Sequence, residues 1–219
     1  MSENRPSLVR RIFTALALFL FLVVFPLGSY LYLKKGYDYQ KAALSDLRKT
    51  HRLTNYDQLQ LLDGELAEGG LQGSMYLLGL MPSASQTEVS RYGKLLFKLH
   101  DQFNHADNLQ IWSLFEQQDS AFTTNFQLQH ELPNDSTQLL YWTAAERDWG
   151  GFLAQLGLTP EEESTLDKGA FVLVDDSLYV RRAYALADDE QIRQLVERTA
   201  ILLPERGKPD PEVRRKQEY

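Results

Sequence analysis
The sequence predicts an α/β domain with a mixed central sheet and helices on both faces, preceded by one N-terminal transmembrane helix. Three observations carry this reading. Residues 12–33 form an uncharged apolar run. Short apolar runs of strand length then alternate with capped amphipathic segments, and the last two strands flank a tight turn. The 219 residues suffice for one membrane span and one domain of ordinary size. With 43% apolar and 24% charged residues, most of the chain is globular in composition.

The apolar run reads IFTALALFLFLVVFPLGSYLYL. As a helix it extends about 33 Å, enough to cross a hydrocarbon core. It is longer than a signal-peptide core and no small-x-small cleavage site follows it, so an anchor is expected rather than a removed leader. Residues 1–11 precede it as a short N-terminal segment. Tyr30 and Tyr32 suit an interfacial aromatic belt, and Pro26 is expected to kink the span. Arg10 and Arg11 on one side balance Lys34 and Lys35 on the other, so flanking charge leaves the orientation open. Residues 34–57, rich in Lys, Asp, Gln and Tyr, read as a helical stalk.

The folded domain is expected over residues 58–203. Leu59, Leu61 and Leu62 before Asp63-Gly64 predict a short hairpin. Gly69, Gly70 and Gly73 mark a loop, with the wrong spacing for a phosphate-binding fingerprint. Residues 74–80 (SMYLLGL) predict a strand covered on both faces. Ser85-Gln86-Thr87-Glu88 has the capping-box form, and Val89, Tyr92, Leu95, Leu96, Leu99 and Phe103 follow at helical spacing. Residues 109–115 (LQIWSLF) predict a second buried strand, and residues 116–136 fit a helix or an extended segment equally.

Residues 137–142 (TQLLYW) predict a third strand. Thr143-Ala144-Ala145-Glu146 reads as a second capping box, opening a helix that buries Trp149, Phe152, Leu153 and Leu156 and ends at Gly157. Thr159-Pro160-Glu161-Glu162 opens a short helix with proline at its first position. Residues 170–174 and 178–184 predict a hairpin around Asp175-Asp176-Ser177. Asp188 or Asp189 caps a last helix with Ile192, Leu195, Val196 and Thr199 inward, stopped by Pro204. The charged tail, residues 204–219, is expected to be disordered. Hairpin, strand, helix, strand, strand, helix, hairpin, helix is the thioredoxin-like order, a three-layer sandwich.

Composition excludes several functions. The chain has no cysteine, which removes disulfides, thiolate metal sites, cysteine nucleophiles and lipid attachment through cysteine. The net charge is −7; residues 1–33 hold Arg5, Arg10, Arg11 and Glu3, a net +2, leaving −9 for the rest. Such an acidic domain repels phosphate backbones, so no nucleic-acid partner is expected.

The polar candidates have bland explanations. His100 and His105 lie five apart, not at the spacing of three or four that puts two ligands on one helix face, and read as a solvated helix end. His51 and His130 are isolated in polar stretches and read as surface residues. Ser74 lacks a nucleophile elbow. Glu146 and Asp148 suit a first helical turn, Asp175 and Asp176 a hairpin turn, and Trp112, Trp142 and Trp149 the core. No catalytic residue, metal ligand or cofactor is expected.

Two segments carry a family resemblance. The run Gln58-Leu59-Gln60-Leu61-Leu62-Asp63-Gly64, with Leu71-Gln72-Gly73-Ser74-Met75-Tyr76-Leu77-Leu78, resembles the opening of peroxiredoxin-like and SCO/SenC-type thioredoxin-fold proteins. The run from Leu166-Asp167-Lys168-Gly169 through Ala170-Phe171-Val172-Leu173-Val174-Asp175, then Tyr179-Val180-Arg181-Arg182-Ala183-Tyr184, resembles the closing hairpin of the SCO/SenC family. The likeness covers about residues 58–203. In that family a Cys-x-x-x-Cys loop after the first core strand and a histidine before the closing hairpin bind copper. Here the loop is Met81-Pro82-Ser83-Ala84-Ser85-Gln86-Thr87-Glu88-Val89, and Lys168 stands at the histidine position. A protonated lysine has no lone pair to give, and Met81 is the sole sulfur in the loop.

The resemblance therefore implies the fold and the location while removing the family's metal chemistry. It implies a single-pass protein of the cytoplasmic (inner) membrane with its domain on the periplasmic or extracellular side. The expected partners are membrane lipid around the N-terminal helix and one or more membrane or envelope proteins. The expected role is a non-catalytic binding or assembly module in respiratory oxidase biogenesis. Lys168, with Asp167, is the candidate functional position, because it sits where the family keeps its site; a surface ion pair between the two is the plainer reading. The alternatives are an enzyme of another class built around Lys168 and Asp167, or a structural subunit of a membrane complex.

Overall fold
A computed structural model describes residues 8–45, 47, 49–54, 56, 59–66, 71–82 and 85–203, with side chains for all of these except 8–11, 146 and 147. The expected tail, its Pro204 stop, and Gly69 and Gly70 of the glycine loop lie outside the described residues. The chain divides into two compact units, Met1–Asp46 and Leu47–Tyr219.

The described residues of the first unit form one continuous helix: α1 (Leu8–Phe19), a π-helical turn (Leu20–Val24) and α2 (Phe25–Ser45). The π turn ends at Val24, two residues before Pro26. Proline donates no amide hydrogen and its ring crowds the carbonyl four residues back, so the helix widens there instead of ending. The stretch Ile12–Ser45 is long and apolar enough to cross a membrane, and none of its most apolar window is buried within the protein. The first part of the stretch expected as a stalk is thus helical, to Ser45.

The second unit starts earlier than the sequence indicates. Residues 49–53 lie along a strand edge rather than in a stalk: the Thr50 amide donates to Val180 O (3.1 Å), Val180 to His51 O (2.9 Å) and Leu53 to Leu178 O (2.8 Å). Leu47 and Leu53 are 5% and 1% exposed, so two apolar anchors hold this polar segment down.

A six-stranded sheet organises the domain. Its strands are β1 (Gln60–Asp63), β2 (Met75–Met81), β3 (Leu109–Glu116), β4 (Leu139–Ala144), β5 (Ala170–Val174) and β6 (Val180–Ala185), in the order β1-β4-β3-β2-β5-β6. The strands β2, β3 and β4 run parallel, while β1, β5 and β6 are antiparallel to their neighbours. The apolar runs that predict central strands are buried along almost their whole length, because helices cover both faces. Alternation along β2 feeds two cores. Tyr76, Leu78 and Leu80 join Trp112, Trp142, Trp149, Phe152 and Leu166 on one face. Met75, Leu77 and Met81 join Tyr92, Leu96, Leu99, Phe126, Phe171 and Leu195 on the other.

The helices divide accordingly. On the second face lie α3 (Gln86–Phe103), α4 (Ser120–Gln129) and α7 (Asp189–Leu202), and on the first α5 (Glu146–Gln155) and α6 (Pro160–Leu166). The capping boxes at Ser85 and Thr159 form as expected, and Asp188 caps α7. The mixed sheet between two helical layers is the predicted three-layer α/β architecture.

Two local expectations fail, and one open reading is decided. The hairpin at Asp63-Gly64 is absent among the described residues: β1 pairs with β4, eighty residues away in sequence, and Glu65 and Leu66 are not in a strand. The second capping box does not form. Thr143 stays in β4, where its hydroxyl accepts from the Gln118 amide (3.1 Å), and Ala145 caps α5 without a side-chain bond. The ambiguous stretch 116–136 contains a true helix, α4, whose cap Asp119 accepts from the Phe122 amide (2.8 Å). Its apolar pattern is obscure because only Thr123 and Phe126 are buried.

Candidate functional site
The position where the resemblance places a metal site is built from two connections. The first runs from β2 into α3. Met81 ends the strand, and Ser85 starts the helix; residues 83 and 84 lie outside the described residues. The Glu88 carboxylate accepts from the Ser85 amide and hydroxyl, both at 2.8 Å. The second connection runs from α6 into β5. Asp167 caps the C-terminus of α6, and Lys168 and Gly169 follow. Gly169 adopts φ +86, a conformation that favours glycine, and its amide donates to Leu166 O (2.9 Å).

Sheet register joins the two. Leu80 pairs with Ala170, which brings Gly169 against the end of β2. A Cβ on Gly169 would lie 2.9 Å from Met81 Sδ, so the thioether packs into the space a side chain would fill. Lys168 then comes close enough to Glu88 to act on its ionisation. The Ser85 amide and hydroxyl bonds, with the Lys168 ammonium adding to them, hold the Glu88 carboxyl below its ordinary range.

The chemistry of this arrangement is limited. Met81 is 2% exposed and turned into the core, which leaves its sulfur unavailable as a surface ligand. Lys168 and Asp167 are both exposed, yet no ion pair joins them among the described residues. No group of three His, Asp or Glu with metal-holding geometry occurs among the described residues. One turn further along α3, Arg91 pairs with Asp189 at the start of α7 (2.6 Å). The start of α3 is thus tied electrostatically to both the α6–β5 and the β6–α7 connections. Glu88 reads in the sequence only as a capping residue, since nothing local signals that Lys168 will favour its ionisation.

The other candidates fall into place away from this position. His100 is not a solvated helix end: it is 9% exposed, and its Nε2 lies 3.0 Å from Asp135 Oδ2. Asp135 also accepts from the Thr137 and Gln138 amides, and these bonds outweigh the upward pull of burial to hold its carboxyl low. His130, expected on the surface, packs on Phe126 (ring centroids 4.8 Å) and over Gly93, whose missing Cβ makes the room. Its half-buried imidazole is held below the ordinary value by desolvation, with the Lys94 ammonium adding to this. His51 is exposed and leans on Gly157, and His105 bonds its neighbour Asn104. Asp175 is buried in the hairpin turn and paired with Arg181, and the three tryptophans are core residues, as expected. The side chain of Glu146 lies outside the described residues.

No protein family and no curated protein matches the sequence. Solved structures do. A candidate protein disulfide isomerase from Bacteroides thetaiotaomicron superposes with a TM-score of 0.50 at 13% identity, over 72% of this chain and 91% of that one. BsSco, a member of the Sco family of cytochrome c oxidase assembly proteins that carries a disulfide switch, superposes with a TM-score of 0.51 at 12% identity, over 69% and 94%. At such identities the likeness is one of fold, and a disulfide switch is out of reach for a chain without cysteine. The domain therefore has the thioredoxin-like fold that Sco-family proteins share, behind one N-terminal helix able to cross a membrane.

Proposed function
We propose that this chain is a membrane-anchored, thiol-free thioredoxin-like domain that acts as a non-catalytic binding or assembly module. Residues 12–33 serve as its single span in the cytoplasmic membrane, and the domain faces the periplasm or cell exterior. Its task is the biogenesis of a respiratory oxidase, by analogy with the assembly role named for the Sco family. One observation carries the reading. The fold is kept, while the position equivalent to a redox or metal loop holds a capping box, a buried thioether and a Glu88 carboxylate whose ionisation Lys168 favours. None of these groups is a thiol, and the one sulfur is buried, so they offer neither thiol redox chemistry nor a soft surface ligand. Lys168 and Asp167, both exposed, mark the face that meets the partner.

The test is mass spectrometry of proteins that co-purify with the full-length chain from detergent-solubilised membranes, against the N-terminal helix alone. Enrichment of haem-copper oxidase subunits that is lost in Lys168→Ala, with folding intact, is the expected result. Enrichment no greater than with the helix alone overturns the module reading. Turnover in a substrate screen that Lys168→Ala abolishes moves the chain to the enzyme class.

A further inference from the structure
A run of positive charge lies just after the N-terminal helix, and the fold gives its described residues a fixed place. Arg48-Lys49-Thr50-His51-Arg52 puts three cations into five residues of a chain whose net charge is −7. Residues 49–53 are pinned to β6 by the backbone bonds to Val180 and Leu178, and Arg52 pairs with Tyr179 in an isolated bridge. Lys49 and Arg52 are both exposed. The Lys49 ammonium lies 5.3 Å from the Tyr179 ring centre, and the Arg182 guanidinium sits over the buried Tyr184 ring at 5.5 Å. The acids nearby are largely engaged: Asp175 is neutralised by Arg181, and Glu162 accepts from the Thr159 and Ala183 amides, leaving Asp176 exposed at the turn.

We propose that this cationic edge, Lys49 and Arg52 with Tyr179 and Arg182, docks on the anionic phospholipid headgroups of the bilayer that holds the N-terminal helix. The inference rests on the membrane anchoring proposed above. Charge complementarity favours a lipid surface over one acidic peptide. Lys49 and Arg52 are exposed along a strand edge beside the partly exposed Tyr179, a layout that suits a plane of headgroups. Cations that lie close in sequence to a membrane span concentrate at such surfaces, within about a Debye length. Tyrosine is at home at the same depth.

The absence of cysteine makes the test direct. The full-length chain with a single Thr54→Cys, an exposed position beside the run, is labelled with a donor dye. It is placed in nanodiscs with acceptor-labelled lipid, either pure phosphatidylcholine or one third phosphatidylglycerol. Co-elution with the disc reads anchoring by itself. The expected result is stronger energy transfer in the phosphatidylglycerol discs, reversed by salt. Lys49→Gln with Arg52→Gln then lowers the docked-to-undocked ratio roughly thirty-fold, with an unchanged melting temperature. Equal transfer in both lipids overturns the proposal, as does a phosphatidylglycerol effect that survives the double substitution. Protection of the Leu53 and Val180 amides from hydrogen exchange, raised by phosphatidylglycerol, gives a second readout without a dye. Failure to co-elute overturns the anchoring itself.

Discussion
The Arg181 guanidinium grips the Asp175 carboxylate through two nitrogens, Nη2 at 2.5 Å and Nε at 2.7 Å, with the side chains only 15% and 6% exposed. The same carboxylate accepts from the Ser177 and Tyr179 amides, so one group shapes the turn of the closing hairpin and neutralises its neighbour. Removing one member leaves a buried charge without its partner. Asp175→Ala or Arg181→Ala is expected to cost about 3 kcal/mol, against much less than the sum for the double variant. Urea denaturation of the four proteins measures both values.

Gly79 lies under the Tyr92 ring. A Cβ there would be 2.1 Å from the Tyr92 hydroxyl, which is itself 2.6 Å from Ser113 Oγ. Gly79→Ala must displace the ring and is expected to destabilise by about 1–3 kcal/mol. Tyr92→Phe loses the buried hydrogen bond, at about 1 kcal/mol. Tyr92→Phe removes the nearest clashing atom, though ring carbons Cε2 and Cζ stay 2.6 Å from the added Cβ, so the double variant is expected to be only partly relieved and somewhat more stable than additivity predicts. A thermal-melt cycle decides it.

Glu131 occupies the left-handed position just past α4, at φ +53. Its amide reaches back to Leu128 O, and the Leu132 amide to Gln127 O. This is the Schellman arrangement, in which glycine is favoured because it has no side chain to strain. Glu131→Gly is expected to stabilise the domain by about 0.5–1 kcal/mol, the relief of strain exceeding the greater freedom of the unfolded glycine. A rise in the urea midpoint with an unchanged slope is the readout.

Acid weakens the domain through two groups of the same sign. The His130 imidazole has its folded value held below the ordinary 6.5, so its contribution is complete above that pH and is lost as pH falls through the folded value. Asp135, lowered from 3.8, adds a loss at still lower pH, as its carboxylate is protonated and its bonds to His100 and Thr137 weaken. The denaturation midpoint is therefore expected to decline below about pH 6.5. His130→Phe keeps a ring over Gly93 and removes the titration, so the decline should shift to lower pH. An identical pH profile in that variant refutes the assignment.

Signals that act within a few residues were readable. Continuous apolar runs gave β2 to β5, capping boxes at Ser85 and Thr159 fixed two helix starts, and the uncharged run gave the one helix able to cross a membrane. The thioredoxin-like order was read from these together with an opening and a closing hairpin, and of those two only the closing one forms. The same signals misled where a distant partner competed. Asp63-Gly64 has hairpin chemistry, yet β1 gains more by covering the open edge of β4. Thr143 has capping chemistry, yet the parallel pairing of β4 with β3 keeps it in the strand. Only the tertiary structure set Lys168 near Glu88, His100 against Asp135, and residues 49–53 along β6. The reason is one of range. Periodicity and caps report the conformation of a segment, whereas the partner of a polar group or a strand edge is chosen by the packing of apolar faces that are far apart in the chain.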